Sequence, residues 1–202
     1  MLTPDTPFQV VASQQREVER LIADGLLEPL LPGVVGPIGC SERLDARLAS
    51  VVLALPERVL GRAAVAQAAA AWVWCGGAPP GVVDVAVPPG RSVPRLPFLA
   101  PHQRRMPPQD VALLPSLGAS VQVTTPTRTL VDLLRLLPEA PGTAAAARLA
   151  AVRGVTPDGV AACLDRMPRA RGVPRARVLA AALVFAPTGE LASTDELASA
   201  GG

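Results

Sequence analysis

The chain has 202 residues, half of them hydrophobic, which suffices for one domain of ordinary size plus an appendage. It contains no lysine, asparagine or tyrosine, so all 19 basic residues are arginines, and the net charge is +2. This composition excludes a P-loop or Schiff-base lysine and a tyrosine nucleophile. With His102 as the only histidine, the chain also offers too few partners for a catalytic triad or for most zinc sites.

The cysteines and the uncharged segments indicate the compartment. Cys40, Cys75 and Cys163 are far apart and odd in number, so we expect small buried thiols of a reducing cytosol rather than disulfides or metal ligands. The first residues show neither the basic nor the apolar region of a signal peptide. The longest uncharged run, residues 63–83, is interrupted by glycines and prolines. We therefore expect a cytoplasmic protein with no membrane span, no metal and no small-molecule cofactor.

Residues 1–38 are predicted to hold a helix followed by a hairpin. In "SQQREVERLIADG", Ser13 can cap the helix and Gly25 can end it, and the apolar, turn-rich "LLEPLLPGVVGP" then forms two short strands. A helix followed by a hairpin is the back half of a winged helix-turn-helix, so this region is predicted to be a partial remnant of that motif. If the helix reads DNA, Arg16 and Arg20 are the residues that contact it, although acidic residues surround them.

Residues 39–187 are predicted to mix helices and strands. Ser41 is expected to cap a helix that ends near Leu55, and an alanine-rich helix is expected from Arg62 to Trp74. The predicted strands are "VVDVAVP", "RLPFLAP" and residues 121–123. The other predicted helices are "MPPQDVALL" and residues 127–137, 143–153, 157–167 and 174–185. The fold class is α+β: a truncated winged-helix remnant, a mixed α+β domain with a small sheet and a C-terminal helical cluster, and a flexible tail over residues 188–202.

The junction "VTTPTRTLVDLLR" carries an electrostatic conflict. Thr125 is a good N-cap and Pro126 suits the first helical position, which places Arg128 in the first turn. A cation there opposes the helix macrodipole by about 0.3–1 kcal/mol. Asp132 lies one turn later, in the less favourable order for an ion pair, and with Arg135 it falls on the side opposite the leucine stripe. Arg128 therefore needs an anion from elsewhere.

Two interpretations supply that anion. In the first, free backbone N–H groups, Arg128 and the hydroxyl of Thr127 or Thr129 hold a phosphate or a carboxylate of a partner. In the second, an internal salt bridge to a carboxylate such as Asp84 or Asp110 joins the strand to the helix. The sequence leaves both open.

Two further basic stretches allow the same pair of interpretations, an anion contact or a solvated surface. Arg104 and Arg105 are adjacent in the loop "HQRRMPPQD", beside the histidine. Residues 142–180 carry a net charge near +5, and most of it comes from "RMPRARGVPRAR". The candidate contacts in that stretch are Arg169, Arg171, Arg175 and Arg177. No aromatic residue is interleaved, which favours a phosphate backbone or an acidic protein surface over stacked bases.

The order of these motifs resembles that of the actinobacterial AbiEi-like proteins, the antitoxin and transcriptional-regulator side of type IV toxin–antitoxin systems. The resemblance covers residues 16–183, and its most specific stretches are "VTTPTRTLVDLLR" and "HQRRMPPQDV". It implies an N-terminal winged helix that represses its own operon. It also implies an α+β domain that counteracts a nucleotidyltransferase-like toxin without being an enzyme.

We therefore expect a non-enzymatic, antitoxin-like regulatory protein whose partner is a cognate toxin or operator DNA. The first alternative is a DNA-binding transcriptional autorepressor that uses the N-terminal helix. The second is a divergent nuclease with Asp84 and Asp110 as metal ligands, or a degenerate relative associated with such a nuclease.

Overall fold

The computed structural model describes residues 6–185, except for the side chains of residues 152 and 153. Helices and strands mix in two small sheets, so the predicted α+β class is confirmed. The predicted tail, residues 188–202, lies outside the described residues. None of the described helices is long and apolar enough to cross a membrane.

The first sheet has three antiparallel strands in the order β1-β3-β2. Its elements are β1 (Phe8–Gln9), α1 (Gln15–Ala23), β2 (Leu27–Leu31) and β3 (Val34–Pro37). The predicted helix and hairpin are thus confirmed, and Gly25, at φ +70°, follows the helix end. The predicted cap is wrong: Ser13 lies inside a short 3₁₀ turn, and no side chain of the described residues caps α1.

Two helices follow, α2 (Leu44–Ala54) and α3 (Glu57–Leu60). Ser41 does not cap α2 as predicted, because Cys40–Glu42 form a 3₁₀ turn and Arg43 takes the N-cap position. Helix α2 packs against the first sheet and also against the second one. One buried apolar cluster consequently includes residues from Leu30 to Ala176.

The second sheet has five strands in the order β6-β5-β4-β8-β7. The strands are β4 (Ala64–Val65), β5 (Val83–Val87), β6 (Leu99–Gln103), β7 (Val111–Ser116) and β8 (Ala119–Thr124). β4 runs parallel to β8 and β5 parallel to β6, whereas β7 and β8 form an antiparallel hairpin. The valines at the centre of the sheet, Val65, Val85 and Val123, are 0–1% exposed.

Two predicted helices are corrected in this region. The segment from Arg62 to Trp74 begins with β4, and its helix, α4, spans Gln67–Cys75. In "MPPQDVALL" only Pro108–Asp110 is helical, as a 3₁₀ turn, and the chain then enters β7. Both errors have one cause: the strands are fixed by pairing with β5 and β8, which local helix propensity does not register.

Four helices follow in the part of the chain that the structure describes: α5 (Pro126–Leu136), α6 (Glu139–Arg153), α7 (Pro157–Asp165) and α8 (Val173–Ala181). The Thr125 and Thr156 side chains accept hydrogen bonds from backbone N–H groups of α5 and α7, which confirms both predicted N-caps. Helix α5 lies at the centre, in contact with α4, α6, α7 and α8. It is therefore covered on several sides, including the side that the sequence placed opposite the leucine stripe.

Candidate functional site

Arg128 has internal carboxylate partners. Its Nη1 donates to Asp110 Oδ2 at 2.7 Å, and its Nε donates to Asp132 Oδ2 at 2.9 Å. All three residues are at most 4% exposed. The predicted internal salt bridge is therefore present, with Asp110 rather than Asp84 as the strand-side partner; Asp84 instead lies 2.8 Å from the ring of His102.

The pair belongs to a larger group of charges, which we call the arginine–aspartate cluster: Arg104, Arg128, Arg135 and Arg166 with Asp110 and Asp132. Arg166 reaches Asp110 Oδ1 at 2.6 Å, and Arg135 reaches Asp132 Oδ1 at 2.9 Å. Arg104 approaches Asp132 Oδ2 only to 3.6 Å. Four guanidinium groups thus face two carboxylates, and the cluster carries an excess of positive charge.

The cluster shifts the pKa of its two most buried arginines in opposite directions. Burial alone would lower the pKa of Arg128, but Asp132 and Asp110 outweigh burial, so its pKa is raised. Burial lowers the pKa of Arg135, and the charges of Arg128 and Arg104 lower it further, while Asp132 offsets only part of this. An arginine stays protonated through either shift, so both remain cations at neutral pH.

The cluster forms one wall of an open pocket of about 1040 Å³. Among the described residues six arginines line it together with Asp110, and Asp132 pairs with Arg128, so these residues carry a surplus of four positive charges. The lining arginines are Arg104, Arg105, Arg128, Arg135, Arg166 and Arg171. The apolar lining comes from Met106, Pro107, Pro108, Leu136, Met167 and Ala170. We call this feature the arginine pocket.

A close backbone approach fixes one rim of the arginine pocket. Arg135 donates from Nε and Nη2 to the carbonyl oxygen of Arg171, at 3.0 and 2.9 Å. The next residue, Gly172, has φ +80°, and a Cβ there would lie 2.4 Å from the carbonyl oxygen of Arg135. Only glycine allows this approach, so Gly172 and Arg135 together hold Arg171 at the pocket rim.

The other predicted contact residues do not gather at one place. Arg169 is exposed and Arg175 half-buried, and neither lines the arginine pocket. Arg177 pairs with Asp165 at 2.6 Å on the outer side of α7 and α8. Thr127 is half-buried beside α7 and is not among the pocket-lining residues. Of the four arginines in "RMPRARGVPRAR" that the sequence proposed as contacts, the structure brings only Arg171 together with Arg104, Arg105 and Arg128.

The proposed DNA-contacting residues lie on α1, which packs against β2 in the first sheet. Arg16 and Arg20 are both exposed. Arg20 pairs with Glu17 at 2.8 Å, one turn away on the same helix. Arg16 is therefore the better placed of the two for a phosphate.

The carboxylates considered for a nuclease have other partners. Asp84 pairs with His102, and both oxygens of Asp110 accept hydrogen bonds from arginines. Within the described residues, no three His, Cys, Asp or Glu side chains come together in a way that could hold a metal ion.

The sequence also missed three members of the cluster. It placed Asp132 and Arg135 on an outer face, and Arg166 was assigned no role. The signal available was the spacing of Arg128, Asp132 and Arg135, which puts one acid between two bases on one side of a helix.

The comparisons with known proteins supply no family: no protein-family model matches the chain, and no curated protein matches it. Function is consequently argued from the arginine pocket and from the residues around it.

Proposed function

We propose that the protein is a non-enzymatic, antitoxin-like regulatory protein of the cytoplasm that counteracts a nucleotidyltransferase-type toxin. The observation that carries the proposal is the arginine pocket. It is a concave surface whose described residues carry four surplus positive charges and also include apolar side chains. Buried apolar contacts combined with arginines are typical of protein–protein interfaces. The resemblance of the motifs to AbiEi-like proteins supplies the kind of partner.

The state of the aspartates supports binding rather than catalysis. Asp110 and Asp132 each accept arginine hydrogen bonds at both carboxylate oxygens. A general base or a metal ligand needs a carboxylate oxygen that can turn to the substrate or ion. Here the carboxylates act as a scaffold that keeps several guanidinium groups close together at the pocket wall.

The test is toxin neutralisation. A candidate nucleotidyltransferase-type toxin is purified, and its activity is measured with increasing amounts of the wild-type protein and of the Arg105→Glu/Arg171→Glu double variant. Both side chains are exposed, and the structure gives neither a side-chain hydrogen bond among the described residues. The variant is expected to need at least about tenfold more protein for the same inhibition, because two attractive charges become repulsive.

The matched control is Arg169→Glu, in the same turn as Arg171 but outside the pocket lining. It makes the same kind of charge change and is expected to inhibit like the wild type. A toxin whose activity is unchanged by the wild-type protein would overturn the proposal.

A DNA-binding autorepressor is the second candidate, and the observed helix followed by a hairpin, with Arg16 exposed, favours it. Gel-shift titrations of the gene's own promoter would compare the wild type with Arg16→Ala and Arg20→Ala. Weaker binding is expected for Arg16→Ala, and a smaller effect for Arg20→Ala, because Arg20 already pairs with Glu17. Equal binding by all three proteins would remove this role from α1.

A further inference from the structure

Arg104 differs from the other arginines of the cluster. Arg128, Arg135 and Arg166 each have a guanidinium hydrogen bond to a carboxylate of 2.9 Å or less. The Nη1 of Arg104 is buried with no hydrogen-bond partner among the described residues, and its nearest carboxylate oxygen is 3.6 Å away. A buried donor without a partner destabilises the protein, so Arg104 gains most from an added oxyanion.

The backbone of Arg104 is nevertheless held in place. Its N–H donates to the carbonyl oxygen of Val87 at 2.9 Å, which extends the pairing of β6 with β5 by one residue. The guanidinium can therefore turn toward the pocket while its attachment point stays fixed. Its side chain is 21% exposed, so part of it already faces solvent.

We infer that the arginine pocket takes an acidic peptide segment of the partner protein, and that Arg104 forms the paired hydrogen bonds with a side-chain carboxylate of that segment. Arg105 and Arg171 attract it from the rim. This inference rests on the proposed function and names the chemistry of the partner at the same site. Arg128 and Arg135 act as positioning residues, because Nε and Nη1 of Arg128 and all three guanidinium nitrogens of Arg135 already donate within the protein.

The shape and lining of the pocket fit a peptide. About 1040 Å³ is far larger than one carboxylate requires and has room for several residues. Met106 and Met167 offer adaptable apolar contact for a side chain next to the acidic one. None of the described residues that line the pocket is aromatic, so they offer no surface on which nucleic-acid bases could stack.

The experiment measures fluorescence anisotropy of short labelled probes with the full-length protein. The main probe is a synthetic peptide that repeats Glu-Glu-Leu. Two matched peptides repeat Gln-Gln-Leu and Glu-Glu-Ser, and a single-stranded DNA of the same net charge is the fourth probe. The Glu-Glu-Leu peptide is expected to bind tightest, the Glu-Glu-Ser peptide more weakly, and the Gln-Gln-Leu peptide and the DNA at least about tenfold more weakly.

The variants Arg104→Gln and Arg104→Lys then test the role of Arg104. Both are expected to weaken binding of the Glu-Glu-Leu peptide by about tenfold, since lysine keeps the charge but cannot form a paired contact. Arg169→Glu is the control and should bind the peptide like the wild type. Urea unfolding midpoints equal to that of the wild type exclude loss of folding as the cause.

Four outcomes overturn the inference: no binding of the Glu-Glu-Leu peptide, tighter binding of the DNA, equal binding of the glutamate and glutamine peptides, or wild-type affinity in both Arg104 variants. Toxin inhibition separates this from the proposed function. If the wild type inhibits its toxin but binds no acidic peptide, the inference fails and the proposed function stands. If the peptide binds as expected and no toxin is inhibited, the reverse holds.

Discussion

Replacing Arg128 by methionine tests the arginine–aspartate cluster most directly. Methionine roughly preserves the length of the side chain. It removes the guanidinium group that forms salt bridges with both Asp110 and Asp132. Both carboxylates remain buried at 1% exposure. Each would then keep a single close arginine, Arg166 on Asp110 and Arg135 on Asp132.

The expected loss of stability follows from that arrangement. Removing one partner of a buried ion pair costs about 3–5 kcal/mol, because the remaining charge loses its compensation inside the protein. The two surviving arginine contacts place this variant at the lower end, about 3 kcal/mol. For a chain of this length that loss corresponds to a fall in Tm of about 6–12 °C.

Urea unfolding followed by tryptophan fluorescence measures the change, since Trp72 and Trp74 are both buried and report on the core. The control is Arg58→Met on α3, where an exposed arginine has no side-chain hydrogen bond among the described residues. It is expected to change the free energy of unfolding by less than about 0.5 kcal/mol. A loss below about 1 kcal/mol for Arg128→Met would refute the idea that Arg128 compensates the buried charges of Asp110 and Asp132.

Two further predictions concern other buried groups. Arg47→Met should cost about 1–3 kcal/mol in urea unfolding, because buried Arg47 donates to the carbonyl oxygen of Val73 at 2.8 Å near the C-terminal end of α4; an unchanged midpoint would contradict this. Burial raises the pKa of Cys163 from 9.0 to about 11, so native protein treated with iodoacetamide at pH 8 should be alkylated at half-buried Cys75 well before Cys163, as read by peptide mass spectrometry. Because the folded pKa of Cys163 is the higher one, its contribution to stability is full below pH 9.0 and is lost as the pH rises toward 11, by about 3 kcal/mol in all. Equal alkylation of Cys75 and Cys163 in native protein would show that the thiol is not protected.

Local signals predicted the elements whose cause is local. Thr125-Pro126 and Thr156-Pro157 start α5 and α7 as expected, because a cap and a proline act on the backbone of their own turn. The same reasoning failed at Ala64–Val65 and at Val111–Ser116. Those residues form strands because other segments pair with them. The turn that closes the β7–β8 hairpin contains Leu117 at φ +48°, a conformation that a leucine does not lead one to predict.

In the candidate site too, local features were predictable from the sequence and long-range contacts were not. From the sequence alone, Arg128 stands at an electropositive helix start and must meet an anion, because the helix dipole and the cation oppose each other. Which anion it meets was settled only by the tertiary structure: the turn before β7 places Asp110 against Arg128. The packing of α7 against α5 is accompanied by a bond from Arg166 to the other oxygen of Asp110. The pocket likewise exists only in the tertiary structure, since its arginines come from three separate stretches of the chain. The charge near a helix end depends on a few neighbouring residues. The identity of a buried ion-pair partner depends on how distant segments pack around it.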